Sequence, residues 1–323
     1  MGSLIWNNEA KEHSGMELTF LGTGAGSPSR YRNVTSSVLN LQAERGSAWM
    51  FDCGEGTQHR ILTSPVKMGK IDKLFITHLH GDHIFGIPGL LSSRSCQVGP
   101  GVKSFAIYGP KGIAEFIKSA LRLSQSRIGY EIVINEIEEG VVFEDELFRV
   151  EAGHVNHRIE CFGYRIVEKD KPGKLDAVRL KEMGAIPGPA FAQLKLGGQI
   201  TLPDGTVVDG KDFLGPPLKG RIVTIAGDTR YSKSTLKLAR NADLLVHEAT
   251  FSHELKEMAE DYGHSTAVQA AELAAEAGVK RLVLTHISSR YQGKEEILLE
   301  QAQGVFPHVS IAADYDTEII SRF

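Results

Sequence analysis

The hexapeptide at residues 78–83, His-Leu-His-Gly-Asp-His, constrains this chain more than any other stretch. It places four potential metal ligands directly after the apolar, strand-like segment 73–77. In an extended chain, residues two apart project to the same face, so the first two histidines can bind one ion together. The glycine permits a tight turn that directs the aspartate and the last histidine toward a second ion. Imidazole with carboxylate suits zinc, manganese or iron better than calcium or magnesium, which prefer oxygen shells.

Bulk composition excludes several classes of protein. The 323 residues are 41% hydrophobic and carry a net charge of −4, so no global basic field indicates nucleic acid, and a polyanion would need a local patch. Three cysteines with no paired spacing predict free thiols in a reducing cytoplasm rather than disulfides. No apolar run approaches the roughly 18 residues of a membrane span. Residues 1–15 contain no signal-peptide core, and we interpret them as a leader or expression scar before a domain at 16–323.

Short apolar, β-branched runs alternate with helical segments along the chain. The helical segments are 113–121, with an i, i+3, i+4 apolar stripe, and a segment that begins after Ser265-Thr266 and ends at Gly278. The strand-like runs are 18–21, 38–41, 49–51, 74–77, 132–134, 162–167, 222–226, 244–246 and 282–285. Strands with helices in both halves predict a layered α/β sandwich, with helices outside two central sheets.

Residues 168–220 depart from this pattern. The stretch holds six of the twelve prolines and nine glycines, with eight Lys/Arg against seven Asp/Glu. It contains a predicted hairpin at 199–208 that turns at Asp204-Gly205. With so little apolar periodicity it is not expected to form core. Two interpretations remain open, a linker and a protruding functional arm.

Further candidate ligands stand at the ends of strand-like runs. They are His157, Asp228 and His286, and from spacing alone His154 competes evenly with His157. Together with the hexapeptide they give two three-ligand sets around one shared carboxylate. The sets are His78, His80 and His157 for one ion, and Asp82, His83 and His286 for the other, with Asp228 shared. Two ions roughly 3.5–4 Å apart can activate a water and stabilise an in-line displacement, as phosphodiester hydrolysis requires.

The order of these ligands resembles that of the metallo-β-lactamase superfamily. Within it, four segments resemble the ribonuclease Z family, the tRNA 3′ endonucleases: 51–58, 247–250, 263–266 and 285–291. The resemblance runs from Met16 to near the C-terminus. It implies a four-layered αββα metallo-β-lactamase sandwich with an inserted flexible arm, a homodimer and two zinc ions. It also selects His157 over His154, because the family's ligand stands just before a Gly-Tyr strand.

The resemblance implies catalytic roles as well. Asp82 would serve as general base in addition to metal ligand. Glu248 and His264 resemble the pair that protonates the leaving oxygen, in which a carboxylate orients an imidazole and supports its charged form. The alternative for Glu248 is a salt bridge at a strand end. His247 would point to the opposite face of the same strand and be structural.

Two segments resemble parts of the family that bind tRNA. The loop 28–33 resembles the loop that contacts the tRNA 3′ end, with arginine replacing the family's lysine at its first basic position. The stretch 168–220 matches in position the arm that binds the tRNA elbow. The substrate-binding residues implied are Arg30, Arg32, Asn33, Gly188 and Pro189.

These observations predict a cytoplasmic, zinc-dependent endoribonuclease that removes the 3′ trailer from precursor tRNA. The expected products are a tRNA 3′-hydroxyl and a 5′-phosphorylated trailer. Manganese or iron would accept the same ligands. The alternatives are a small-molecule metallo-hydrolase or general phosphodiesterase on the same fold, a di-iron oxidoreductase and a non-catalytic RNA-binding module. The long arm argues against the small-molecule hydrolase or general phosphodiesterase. The absence of a glutamate within the hexapeptide argues against the oxidoreductase, and the full ligand set argues against the non-catalytic module.

Overall fold

The computed structural model of the chain describes residues 15–97 and 104–322. The predicted leader therefore lies outside the described residues, apart from Gly15. Two compact units are present: a larger one that runs to Ile166 and resumes over Ile222–Ser321, and a smaller one formed by Val167–Arg221 with Arg322.

The larger unit contains two seven-stranded sheets. The strands of the first sheet are β1 Met16–Gly22, β2 Ser36–Leu41, β3 Ser47–Phe51, β4 Ile71–Phe75, β5 Phe105–Gly109, β6 Ile132–Glu136 and β16 Thr317–Ile320. Their order is β16-β1-β2-β3-β4-β5-β6, antiparallel from β16 to β3 and parallel from β3 to β6.

The strands of the second sheet are β7 Gly140–Glu144, β8 Phe148–His154, β9 Phe162–Glu168, β12 Ile222–Ile225, β13 Leu244–Glu248, β14 Leu282–Thr285 and β15 Val309–Ile311. Their order is β15-β14-β13-β12-β9-β8-β7, with parallel pairing from β12 to β15. The β7–β8 pair is antiparallel.

The α-helices of the larger unit are α1 Gln42–Arg45, α2 Thr57–Leu62, α3 Gly81–Ile84, α4 Ile87–Gln97, α5 Ile113–Leu123, α8 Lys233–Ala239, α9 Lys256–Tyr262, α10 Ala267–Ala277 and α11 Glu296–Gln303. Short 3-10 helices cover Met68–Lys70, His253–Leu255 and Ser289–Tyr291. Helix α10 begins and ends where the sequence predicts. Thr266 forms a capping box with Gln269, and Gly278 ends the helix in the left-handed conformation at φ 66°.

Successive side chains along each strand point to opposite faces of its sheet, and the buried apolar side chains of the larger unit therefore form three main clusters. Along β3, Trp49 and Phe51 face the second sheet, whereas Met50 faces outward. The outer face of the first sheet packs on α4 and α5, and the outer face of the second packs on α10 and α11. The layers therefore follow the predicted order α, β, β, α.

Strand β4 ends at Phe75, two residues before the end predicted from the apolar run. The reason is that the backbone N–H of Thr77 bonds to a side chain rather than to a neighbouring strand of the sheet. Its N–H and hydroxyl donate to the Asp52 carboxylate over 2.8 and 2.9 Å. This break in the sheet turns the chain toward the histidines that follow.

The smaller unit has its own short elements and its own apolar cluster. Its elements are α6 Ala177–Glu182, α7 Pro189–Lys195, β10 Gln199–Thr201, β11 Val207–Asp209 and a 3-10 helix at Gly210–Phe213. Strands β10 and β11 pair antiparallel across the predicted turn, where Gly205 adopts φ 87°. The buried cluster is Leu180, Ala185, Leu194, Leu202, Val208 and Phe213. A featureless linker would not contain such a cluster. We call this unit, Val167–Arg221, the arm.

In the parts of the chain described, none of the helices combines the length and the apolar character needed to cross a membrane.

Candidate metal centre

Side chains from both sheets converge in two adjoining groups. In the first, His80 Nδ1 lies 3.0 Å from His78 Nε2 and 3.2 Å from His157 Nε2. The carboxylate of Asp228 lies 3.7 Å from His78 Nε2. The hexapeptide follows β4, His157 follows β8 and Asp228 follows β12, so three strand ends supply this group.

The second group contains the other half of the hexapeptide. Asp82 Oδ2 lies 3.5 Å from His83 Nε2 and 3.4 Å from His286 Nε2. Oδ2 of Asp228 lies 3.5 and 3.2 Å from the same two nitrogens. Asp228 therefore contacts both groups, as expected of a shared ligand.

These separations match the edges of a metal coordination shell. Ligand bonds of about 2.0–2.1 Å in a tetrahedron place neighbouring donor atoms about 3.3–3.4 Å apart. The donor atoms of His78, His80 and His157, and those of Asp82, His83 and His286, lie within 4.8 Å of one another in each set. The arrangement therefore fits two adjacent cations.

Hydrogen bonds on the far side of each ring fix the nitrogen that faces the centre. His157 Nδ1–H donates to the Gly263 carbonyl over 2.7 Å, and His83 Nδ1–H donates to Asp52 Oδ2 over 2.8 Å. Because a carbonyl oxygen carries no proton, Nδ1 of His157 must carry one, which leaves the Nε2 lone pair of that ring free. His286 Nδ1–H makes the equivalent contact with Thr250 Oγ1 over 2.9 Å.

One buried atom tests whether cations fit. His83 is fully buried, and its Nε2 has no hydrogen-bond partner within the described residues. A buried polar atom without a partner is costly, and a cation between His83, Asp82 and Asp228 would satisfy it. The donor set thus fits metal on chemical grounds.

The electrostatics of the groups also suit metal binding. Burial lowers the pKa of His78, His80 and His157, so these rings are neutral and can act as ligands. Burial by itself would raise the pKa of Asp82, but the His286 and His83 imidazoles beside its carboxylate lower it below its usual range. Asp82 is therefore ionised at neutral pH.

The buried Glu248 and the half-buried His264 form a pair beside the second group. His264 Nδ1–H donates to Glu248 Oε1 over 2.7 Å, and the His264 and His286 rings stack with centroids 5.3 Å apart. Burial lowers the pKa of His264, but the charge and hydrogen bond of Glu248 raise it to about 9. The imidazole is therefore protonated at neutral pH, with Nε2–H left as a donor.

The structure separates the remaining histidines from the centre. His154 is exposed and its ring lies against Phe162, away from the ligand groups. His247 is buried, and its Nδ1–H donates to the Glu248 carbonyl over 2.8 Å. The histidines at 59, 253 and 308 are exposed, and His13 lies outside the described residues.

Within the loop 28–33, one arginine is enclosed by the protein. Arg32 is only 9% exposed, and its Nη1 donates to Thr23 Oγ1 and the Ala312 carbonyl over 2.7 and 2.5 Å. Its guanidinium therefore holds the loop in place, and its contact with substrate stays a prediction. Arg30 is exposed, and Asn33 is half-buried and donates to the Glu55 carbonyl over 2.9 Å.

In the arm, Gly188 and Pro189 are exposed at the start of α7. Proline suits this first helical position because its missing N–H would have no partner there.

Several residues of the centre were not identified from the sequence. Asp52 contacts the ligand His83 and also Thr77, and Thr250 contacts the ligand His286. In addition, Gly26 N–H donates to Asp82 Oδ2 over 2.8 Å. Asp52 lies inside the segment 51–58 that carries the family resemblance, which was the available signal.

Comparison with known proteins places these features in a family context. The profile of the family described as "Anti-Pycsar protein Apyc1" matches residues 16–139, and that of the "Beta-lactamase superfamily domain" matches residues 203–287. Ribonuclease Z of Listeria monocytogenes serotype 4a is 55% identical over 301 residues, which cover 93% of this chain and 97% of that protein. Ribonuclease Z of Geobacillus kaustophilus is 51% identical over 308 residues, covering 95% and 100%. The crystal structure of human tRNase Z, short form, is 33% identical with a TM-score of 0.68, covering 95% of this chain and 100% of that one.

Proposed function

The chain belongs to the ribonuclease Z family, and we propose that its two adjoining ligand groups form the catalytic centre of a tRNA 3′-processing endoribonuclease. The endoribonuclease activity on precursor tRNA follows from the family. The observation that supports the proposed centre is the convergence of seven donor side chains on two neighbouring positions, beside a protonated imidazole.

Zinc is the ion that we propose for both positions, with manganese or iron as ions that the same ligands accept. The ligands are His78, His80 and His157 for one ion, Asp82, His83 and His286 for the other, and Asp228 for both. When bound, the ions supply Lewis acidity that activates a water and neutralises charge on the scissile phosphate.

Asp82 prepares the attacking water. Its carboxylate is ionised, and the Gly26 N–H fixes the position of Oδ2. An ionised carboxylate accepts a hydrogen bond from the water and aims its lone pair at phosphorus. The low pKa of Asp82 favours this orienting role over prolonged retention of the proton, so we propose that Asp82 takes the proton of the attacking water as general base and releases it to bulk solvent.

His264 protonates the leaving oxygen. Glu248 is 1% exposed and accepts from Thr229 N, Thr250 Oγ1 and Ser265 N as well as from His264. These donors fix the carboxylate, which in turn fixes the imidazole and keeps it charged. Transfer of the Nε2 proton would release the tRNA with a 3′-hydroxyl and the trailer with a 5′-phosphate.

Substrate recognition is proposed for surfaces outside the ligand groups. Arg30 and Asn33 would contact the tRNA 3′ end, whereas Arg32 shapes their loop. The arm, with Gly188-Pro189 exposed, would bind the tRNA elbow. We further propose that the enzyme works as a homodimer in the cytoplasm.

Incubation of the protein with a 3′-extended precursor tRNA, followed by mapping of product ends, tests this function. We expect a single cut near the discriminator base. His157→Ala should abolish the cut, whereas the matched variant His154→Ala should retain it, because His154 lies outside the ligand groups. Hydrolysis of a small activated phosphodiester without any cut in precursor tRNA would instead indicate a general phosphodiesterase.

A further inference from the structure

An exposed aromatic side chain, that of Phe85, lies beside the proposed catalytic centre. Phe85, directly after α3, is 61% exposed, and its ring stacks on Phe116 of α5 with centroids 6.4 Å apart and an interplanar angle of 29°. Leu79, between two ligand histidines, lies against the start of α5, since a Cβ built on Gly112 would lie 3.1 Å from Leu79 Cδ1. The exposed face of the Phe85 ring is therefore a flat apolar surface on which an aromatic group can stack.

The position of this ring ties it to the metal ligands. A Cβ built on Gly81 would lie 2.2 Å from Phe85 Cε2, so the ring lies directly against the Gly81 backbone. Gly81 joins the ligands His80 and Asp82. A group that stacks on Phe85 is therefore placed beside the turn that carries them.

We propose that Phe85 stacks on an unpaired base of single-stranded RNA, namely the 3′ trailer. The inference rests on the proposed function. Exposed aromatic rings stack on unpaired bases, and Phe85 presents such a ring directly beside the ligand turn. A paired acceptor stem already stacks its bases internally and offers none to Phe85. The loop 28–33 is proposed for the tRNA 3′ end, so the trailer is the unpaired segment that remains.

Variants of Phe85 test the stacking step on precursor tRNA with a ten-nucleotide trailer. Phe85→Ala should raise KM about 10-fold, as expected for one lost base stack. Phe85→Trp should restore the parental KM, because it keeps a flat ring. Leu123→Ala, a matched loss of an exposed apolar side chain at the far end of α5, should change nothing. All variants should hydrolyse a small activated phosphodiester like the parent, and an equal loss there would show a structural effect and overturn the proposal.

Abasic nucleotides identify the stacked base. In the parent, abasic sites at the first trailer positions should raise KM by the same factor as Phe85→Ala. In Phe85→Ala, they should raise it no further. Abasic trailer sites that raise the KM of Phe85→Ala as much as that of the parent would show that the trailer does not stack on Phe85. The same conclusion follows if Phe85→Ala loses its response only to abasic sites on the tRNA side of the cut.

Failure of the proposed function can be told apart from failure of this inference. If the parent cuts no precursor tRNA, the function is wrong. The surface is then measured with a ten-nucleotide single-stranded RNA that carries 2-aminopurine, read immediately on mixing with the protein. Quenching in the parent and Phe85→Trp but not in Phe85→Ala supports the stacking site, and equal fluorescence in all three overturns it.

Discussion

At the scale of single residues, the Glu248–His264 pair carries the sharpest chemical prediction. His264→Ala should slow RNA cleavage by roughly 10²–10⁴-fold, as expected for loss of a general acid, while metal content stays unchanged. A leaving group of low pKa, such as p-nitrophenolate, needs little protonation, so its release should suffer much less. Rate measurements on both substrates check this, and equal losses on the two would argue against the role.

The same pair predicts a pH dependence. The pKa of His264 is raised to about 9 by Glu248, against the lowering effect of burial. Cleavage requires the protonated imidazole, so activity should persist below that pKa and fall as pH rises through it. Glu248→Gln removes the charge, and the alkaline limb of the kcat profile should move to lower pH. The exposed control Glu300→Gln should leave the profile in place, and an unmoved limb in Glu248→Gln would exclude the pairing.

Asp52 holds His83 in position from behind. Asp52→Asn should weaken metal binding by about 10–100-fold, because the partner that orients the ligand ring is lost. Competition with a chelator measures the change, and Asp261→Asn, an exposed aspartate, serves as the control. Unaltered metal affinity in Asp52→Asn would show that the ring is oriented without it.

The sequence predicts the role of a single residue only where that role follows from the spacing of its neighbours along the chain. The hexapeptide indicates its own ligands because the period of an extended chain and one glycine turn define their directions. The role of Asp52 is not local, since it adopts φ 55° and binds side chains that follow another strand. The structural role of Arg32 is not local either, since its guanidinium donates to the carbonyl of Ala312, which is distant in sequence, as well as to Thr23.

At the scale of elements, apolar periodicity predicted most strands and the two helices tested. It overestimated β4 because a side chain, not a strand, takes the last backbone donor. It also underestimated the arm. Six buried side chains spread over residues 180–213 form a cluster, but short helices and strands give too few repeats for a period to show.

The arm offers a test that separates recognition from chemistry. Lys171 and Leu218 exchange backbone hydrogen bonds of 2.9 Å in both directions, so residues 172–217 can be replaced by a short Gly/Ser linker. We expect metal content and hydrolysis of a small phosphodiester to survive, because the ligand groups lie outside this range. Cleavage of precursor tRNA should fall steeply, mostly through KM. Undiminished cleavage would make the arm a spacer, and loss of both activities with the metals would make it structural.

At the scale of the whole molecule, two sheets packed face to face explain how distant segments meet. The hexapeptide follows a strand of the first sheet, whereas Asp228, Glu248 and His286 stand at the ends of strands in the second. The alternation of strands and helices predicted the layers. It could not predict which strand ends would meet, because that depends on the packing of the two sheets. Only the family resemblance chose between His154 and His157.

Metal titration of the apoprotein, with precursor tRNA cleavage followed at each step, tests the central claim most directly. We expect no cleavage without metal and full cleavage at two ions per chain, since each ligand group is proposed to hold one. Full activity at a stoichiometry of one, or cleavage that persists in the presence of a strong chelator, would contradict it.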